Sequence, residues 1–361
     1  MLKKTAAKTV THCIKKGTFM NDRVRGTEAA AICRRANAKY LFLFVFWFAL
    51  LALTFSAGCN QKDKAVDMYI DAVILTEMQQ DELAVRKLNS AVKADKNFAQ
   101  AYSLLGQIYQ QLAYYEKSAA SYEKATEFNP LSFTDYFNLG RVYSLMKKFA
   151  LAVKAYSKAC EIRPDSLDAH VSAAETYVQL QDYDSALIYG KRAVQIDPNN
   201  SDMQKLVGDI YQTKENHEGA IAAYKRSLEI DSNNLDVMTS LAVAYLKTER
   251  NEAAKELLLS VVDIEPENNT AYKHLGYSYL LLGDFEKSLE SYKRAIEIAG
   301  NDWDAHRGLG VAYILSGKKD DDTVDEELRG KAVMHWQRSL EIKPDQPSRE
   351  RLLKYIELYD K

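Results

Sequence analysis

Six histidines, four cysteines and an acidic run at 319–327 are the residues of this 361-residue chain whose types invite chemistry. His12, His170, His217, His274, His306 and His335 stand far apart, and no two have the spacing that sets a metal-binding pair on one helical face. The run Lys319-Asp320-Asp321-Asp322-Thr323-Val324-Asp325-Glu326-Glu327 holds many carboxylates, but the glycine and terminal glutamate of a calcium loop are out of register, so a solvated loop is expected. Gly308, Gly310 and Tyr313 approach a dinucleotide fingerprint without the strand that must precede it. Gly317-Lys318 fails as a phosphate loop because Ala312 stands where its first glycine belongs. Gly276-Tyr277-Ser278 lacks the second glycine and the strand of a nucleophile elbow. No catalytic constellation emerges. The expectation is a protein that is not an enzyme and has neither cofactor nor metal.

Composition points to helix. Only 6 Pro and 15 Gly interrupt a chain rich in Ala, Leu, Lys and Glu, long enough for two or three compact domains or one repeat array. Charge is unevenly spread: ten of 48 Lys/Arg but only two of 50 Asp/Glu fall within 1–58, so the remainder has ten more carboxylates than cations. An acidic folded region is a poor match for phosphate, and nucleic acid is not an expected partner.

The basic stretch leads into an uncharged apolar run at 40–57, which includes Trp47 and Leu50. Lysines and arginines ahead of it keep the N-terminus cytoplasmic and send the rest across the membrane. Two readings stay open: an 18-residue uncleaved span, or the core of a signal peptide. Ser56-Ala57-Gly58-Cys59 resembles the bacterial lipobox, with Ser56 where that pattern prefers leucine. The resemblance implies cleavage before Cys59, acylation of its thiol, and, with Asn60 following, sorting to the outer membrane facing the periplasm; the inner membrane is the alternative. Several acyl chains hold firmly where one is marginal. Met20 is a second candidate start. Residues 1–58 are thus read as signal peptide or anchor and 59–64 as a short tether. Cys13 and Cys33 lie in the leader, leaving Cys160 without a disulfide partner and expected as a buried, inert thiol.

From residue 65 the chain repeats every thirty-four residues. In the unit starting at Ala99, Tyr102, Leu105, Gly106, Tyr109, Tyr122, Ala125 and Pro130 occupy positions 4, 7, 8, 11, 24, 27 and 32. Tyr136, Leu139, Gly140, Tyr143, Tyr156, Ala159 and Pro164 match them one period later, and later units repeat the pattern through Tyr292 and Ala295. Small residues at positions 8, 20 and 27 suit close helix approach, aromatics at 11 and 24 fill the space between, and Pro at 32 stops the second helix. The pattern resembles the tetratricopeptide repeat. It implies an all-α, right-handed superhelical solenoid of antiparallel helix pairs. The units are 65–98 (degenerate), 99–132, 133–166, 167–200, 201–234, 235–268, 269–302 and 303–346, the last with a ten-residue insertion. Thr323 and Glu326 have capping-box spacing at the end of that insertion, predicting a second helix lengthened at its start. Residues 347–361 read as a capping helix that begins at Ser348, with Leu352, Tyr355, Ile356 and Tyr359 on one stripe.

In proteins of this resemblance the first helices line a concave groove through positions 2, 5, 9, 12 and 13. Here the early units place Gln107, Gln110, Gln111, Arg141 and Glu175 at these positions, and the later ones turn apolar. The candidate partner-binding residues are Val243, Leu246, Lys247, Lys273, Tyr277, Leu280, Leu281, Arg307, Val311, Ile314 and Leu315. An apolar patch edged by charge marks an interaction surface; the competing expectation is that the cap helix and the curvature bury several of them. Position 9 lacks the asparagine of a chaperone-tail clamp. The function implied is a non-catalytic protein–protein interaction scaffold at the bacterial envelope, similar to pilus-assembly pilotins and other envelope assembly factors. It would be held by lipid on Cys59 or by an N-terminal helix. The alternatives are a single-pass subunit of a secretion or respiratory complex, and an enzyme accessory or small-ligand binder.

Overall fold

A computed structural model describes residues 61–319 and 323–360, which form two compact units, one ending at Ala101 and the other beginning at Tyr102. The first contains α1 (61–77), α2 (Asp81–Ala94) and the start of α3 (Ala99–Gln111). Ala65, Ala72, Ala84, Leu88, Ala91, Ala99 and Ala101 are buried there, Lys87 meets Asp71 at 2.7 Å, and Tyr69 packs on Phe98.

The second unit continues through α4 (Tyr115–Phe128), α5 (Phe133–Leu145), α6 (Phe149–Ile162), α7 (Leu167–Gln179), α8 (Tyr183–Ile196), α9 (Ser201–Thr213) and α10 (His217–Ile230). It ends with α11 (Leu235–Lys247), α12 (Asn251–Ile264), α13 (Asn269–Leu282), α14 (Phe285–Ile298), α15 (Trp303–Ser316), α16 (Glu326–Ile342) and α17 (Arg349–Tyr359). From α4 onward each helix packs on the next, and the paired helices stack as a solenoid.

Local chemistry sets many of the boundaries. Ser132, Ser166, Asn200, Asn234, Asn268 and Asp302 cap the first helices of successive pairs, each side-chain oxygen accepting from the backbone N–H three residues on. The second helices stop where Asn129, Arg163, Asp197, Glu265 and Lys343 take ψ between 81 and 91°, the extended region forced on a residue before proline. Asp231 and Ala299 adopt ψ values in the same range before Ser232 and Gly300, so the stop does not depend on proline alone. Between the two helices of a pair one residue sits in the left-handed region, except in the α15–α16 pair, where Gly317 has φ −89°. Ala113, Lys147, Gln181, Glu215 and Glu249 do so at φ 56 to 61°, and Gly283 at 79°. The next N–H then bonds the carbonyl five residues back, as Lys148 does to Tyr143, closing a Schellman turn.

Packing explains the repeat. A Cβ on Gly106, Gly140, Gly208, Gly276 or Gly310 would lie 2.4 to 2.9 Å from the ring of Tyr122, Tyr156, Tyr224, Tyr292 or Trp336, respectively. Only hydrogen fits there. Where the ring is absent the constraint relaxes: Ala174 faces Gly190, and Ala242 belongs to the unit whose corresponding residue is Leu258. Position 20 is alanine in six units, counting Ala332 beyond the insertion, and serine in two. Ser118 donates to the Gly106 carbonyl and Ser288 to that of Gly276. His170 and His306 at position 4 each place Nε2 against a carbonyl of the preceding unit, Pro164 at 3.1 Å and Gly300 at 3.2 Å. Cys160 is buried, and burial pushes its thiol up to about 11.

The C-terminal end departs from two sequence expectations. The α16 helix is longer than its counterparts, but Asp325 caps it, accepting from the Leu328 N–H, rather than Thr323. An antiparallel bridge between Lys318 and Val324, with the Asp325 N–H on the Gly317 carbonyl, fixes that start. Asp320, Asp321 and Asp322 lie outside the described residues. Ser348 does not cap α17; its hydroxyl donates to the Gln346 amide oxygen, and the Gln346 side-chain NH2 holds the Ser339 and Lys343 carbonyls. Leu352 is buried, and Tyr355 and Tyr359 lie against Trp336.

Candidate functional site

Helices α11, α13 and α15 are the first helices of three consecutive pairs, so positions 9 and 12 of each face the same side. Val243 and Leu246, Tyr277 and Leu280, and Val311 line one wall of a cavity of about 490 Å³. Helix α17 closes it from the opposite side with Ser348, Arg351, Leu352 and Tyr355. Eight of the eleven predicted groove residues meet there: the five above with Lys247, Lys273 and Arg307. Leu281 is exposed and Leu315 half-buried, and both lie outside the lining. Ile314 is 9% exposed and belongs to the same buried cluster as Leu352, so it is not free to line the groove.

Two of the three predicted cations are already engaged. Lys273 reaches Asp302 at 3.1 Å and Asp304 at 3.9 Å, and Arg307 pairs with Asp304 at 2.5 Å. Asp302 also caps α15 by accepting from the Asp304 and Ala305 N–H groups. Burial works against its charge, but those N–H groups and the Lys273 ammonium hold the carboxyl below the usual range. Lys247 has no ion pair among the described residues, and neither has Arg351.

Sequence reasoning missed His274, Arg351, Leu352 and Tyr355. His274 sits one place after a groove position, and burial, then the Lys273 charge, pulls it down to about 4. It is therefore neutral at pH 7 and offers one N–H donor. The α17 residues carry a signal, an amphipathic helix with an arginine beside its apolar stripe, but by itself that stripe reads as cover for the last pair. Tyr292 forms part of the floor, and burial raises its hydroxyl far above the ordinary range. The histidines scattered in sequence are not all apart in space: His306 Nδ1 lies 2.8 Å from His335 Nδ1. Among the described residues no group of three or more His, Cys, Asp or Glu could hold a metal ion.

Cys59, the run 40–57 and Met20 lie outside the described residues. Among the residues that are described, no helix is long and apolar enough to cross a membrane.

Recurring antiparallel helix pairs, a repeated glycine–ring socket and a groove lined by first helices define a class of repeat scaffold. Sequence comparison agrees: tetratricopeptide repeat profiles match residues 90–165, 145–210 and 213–275, and a TPR repeat profile matches 276–317. The chain belongs to the tetratricopeptide repeat proteins, scaffolds that bind other proteins and are usually non-catalytic. No curated protein matches it in sequence. Solved structures of similar fold include the C-terminal part of a TPR repeat-containing protein from Cytophaga hutchinsonii, at 16% identity and a TM-score of 0.53, covering 69% of this chain and 98% of that one. A tetratricopeptide repeat protein from Parabacteroides merdae is 12% identical with a TM-score of 0.51, over 73% and 99% of the two chains.

Proposed function

We propose that this protein is an envelope scaffold of bacteria, anchored at its N-terminus, that holds a peptide or helix of a partner protein in the groove of its last three repeats. The cavity between α11, α13, α15 and α17 carries the reading. It is concave and largely apolar, with a small set of convergent charged groups, as protein-lined binding sites are. Tyr277 and Leu281, exposed at 44% and 41%, extend an apolar surface beside it. Export and anchoring rest on the sequence: ten cations precede the apolar run, and small residues precede Cys59. A lipid on that cysteine places the protein at the outer membrane facing the periplasm. A second reading, an uncleaved single-pass anchor, is favoured by Ser56 at the lipobox leucine place and by the length of the run.

Mass spectrometry of the mature N-terminus separates the two, since only the lipoprotein begins at an acylated Cys59. Cross-linking in the native membrane tests the groove. The partner captured by the unmodified protein should be lost from the Tyr277→Ala, Leu281→Ala double variant; undiminished capture would remove the groove from the account.

A further inference from the structure

The charge inside the C-terminal hollow does not balance. Four cations line it, Lys247, Lys273, Arg307 and Arg351, against one lining carboxylate, Asp304. Lys273 and Arg307 are taken by Asp302 and Asp304. Lys247 at the end of α11 and Arg351 on α17 remain without a counter-ion among the described residues. The chain beyond residue 58 has ten more carboxylates than cations, so two free cations in one hollow run against the surface around them. His274 lines the same hollow, and its ring makes no hydrogen bond among the described residues.

Three donors on three helices, set around an apolar floor that includes Leu280 and Val311, describe a particular ligand. We propose that the hollow receives an acidic segment of a partner protein, two of its carboxylates meeting Lys247 and Arg351 and an apolar side chain between them resting on Leu280 and Val311. The inference rests on the groove reading above and adds the chemistry of the occupant. The His274 N–H supplies a neutral donor to one carboxylate, and it stays neutral because burial and the Lys273 charge disfavour its protonation. The basic leader of this chain is repelled by the same cations. A nucleic acid backbone would meet the acidic remainder of the molecule and leave the apolar floor empty. A segment seated on the apolar floor excludes water beside the two exposed cations and so strengthens the charge pairing relative to open water.

The full chain in detergent micelles is titrated, by fluorescence anisotropy, with an array of short acetylated and amidated peptides in which the positions of glutamate, leucine, glutamine and lysine vary. Peptides with two glutamates flanking a leucine should bind best, and exchanging either glutamate for glutamine should weaken binding by about tenfold, as loss of a charge-assisted hydrogen bond does. Lys247→Glu and Arg351→Glu, both at exposed positions, should each cause a loss of similar size, and together they should turn the preference toward lysine-containing peptides. Preference of the unmodified protein for neutral or basic peptides overturns the proposal. So does affinity unchanged by the two reversals, or binding that requires a free terminal carboxylate. If neutral peptides bind and Tyr277→Ala with Leu281→Ala abolishes it, the groove stands and only the acidic occupant falls. If no peptide binds, both fall.

Discussion

Adding one methyl group at Gly208 tests whether the repeat is built on the glycine–ring socket. In Gly208→Ala the new Cβ would sit 2.5 Å from the Tyr224 ring, about 1 Å inside ordinary carbon contact. The ring cannot retreat, because Tyr224 is 1% exposed and its hydroxyl donates to Asp209 at 2.8 Å. Overpacking of this severity costs about 3 kcal/mol, offset by about 1 kcal/mol from the helix propensity of alanine over glycine. The net expectation is a loss of about 2 kcal/mol. Tyr224→Leu alone should also destabilise, by about 2 to 3 kcal/mol, through the cavity and the lost hydrogen bond. The double variant reproduces the pairing already present at Ala242 and Leu258, so its loss should fall short of the sum by about 2 kcal/mol. Since solenoid stability is a sum of local terms, the assay is hydrogen–deuterium exchange of α9 and α10 peptides, with urea midpoints beside it. Stabilisation by Gly208→Ala, or strict additivity in the double variant, would refute the socket.

Two further outcomes are expected. Lys147→Gly and Glu215→Gly relieve left-handed residues at φ 56 and 57°, removing about 1 to 2 kcal/mol of strain against about 0.5 to 1 kcal/mol of added unfolded-chain entropy; each should raise the thermal midpoint, and a lowered midpoint would contradict the turn geometry. His335, pulled down to about 4 by burial, by His306 and by Lys293, takes up its proton in the unfolded chain near pH 6.5 but not in the folded one. Stability should therefore be at its full value above pH 6.5 and fall as pH drops toward 4, and His335→Phe should flatten that slope in urea titrations; an unchanged slope would refute it.

The architecture was readable because it is periodic: a glycine, a ring and a terminator returning every thirty-four residues announce helix pairs without any single helix being decisive. The turns were not readable. Ala113, Lys147, Gln181, Glu215 and Glu249 hold a conformation that their residue types disfavour, imposed by the packed helices on either side. Thr323 lost the cap to Asp325 because the Lys318–Val324 bridge, a contact across the insertion, decides where α16 starts. At the site, the groove positions gave the α11, α13 and α15 wall, since helical geometry fixes which residues share a side. His274 and Arg351 were hidden for different reasons. One lies a residue off the groove positions, and the other is on a helix whose placement depends on tertiary packing. The His306–His335 contact spans 29 residues, and no local pattern encodes it.

The sockets also govern how such an array can change length. Tyr122, Tyr156, Tyr224 and Tyr292 each press on a glycine of their own pair and also reach the sixth position of the next, Asn138, Ser172, Ser240 and Gly308. Excising or duplicating a whole pair by gene duplication therefore presents each ring with another residue of the same position. The joint between α14 and α15 is the least forgiving, because a Cβ at Gly308 would lie 2.4 Å from the Tyr292 ring.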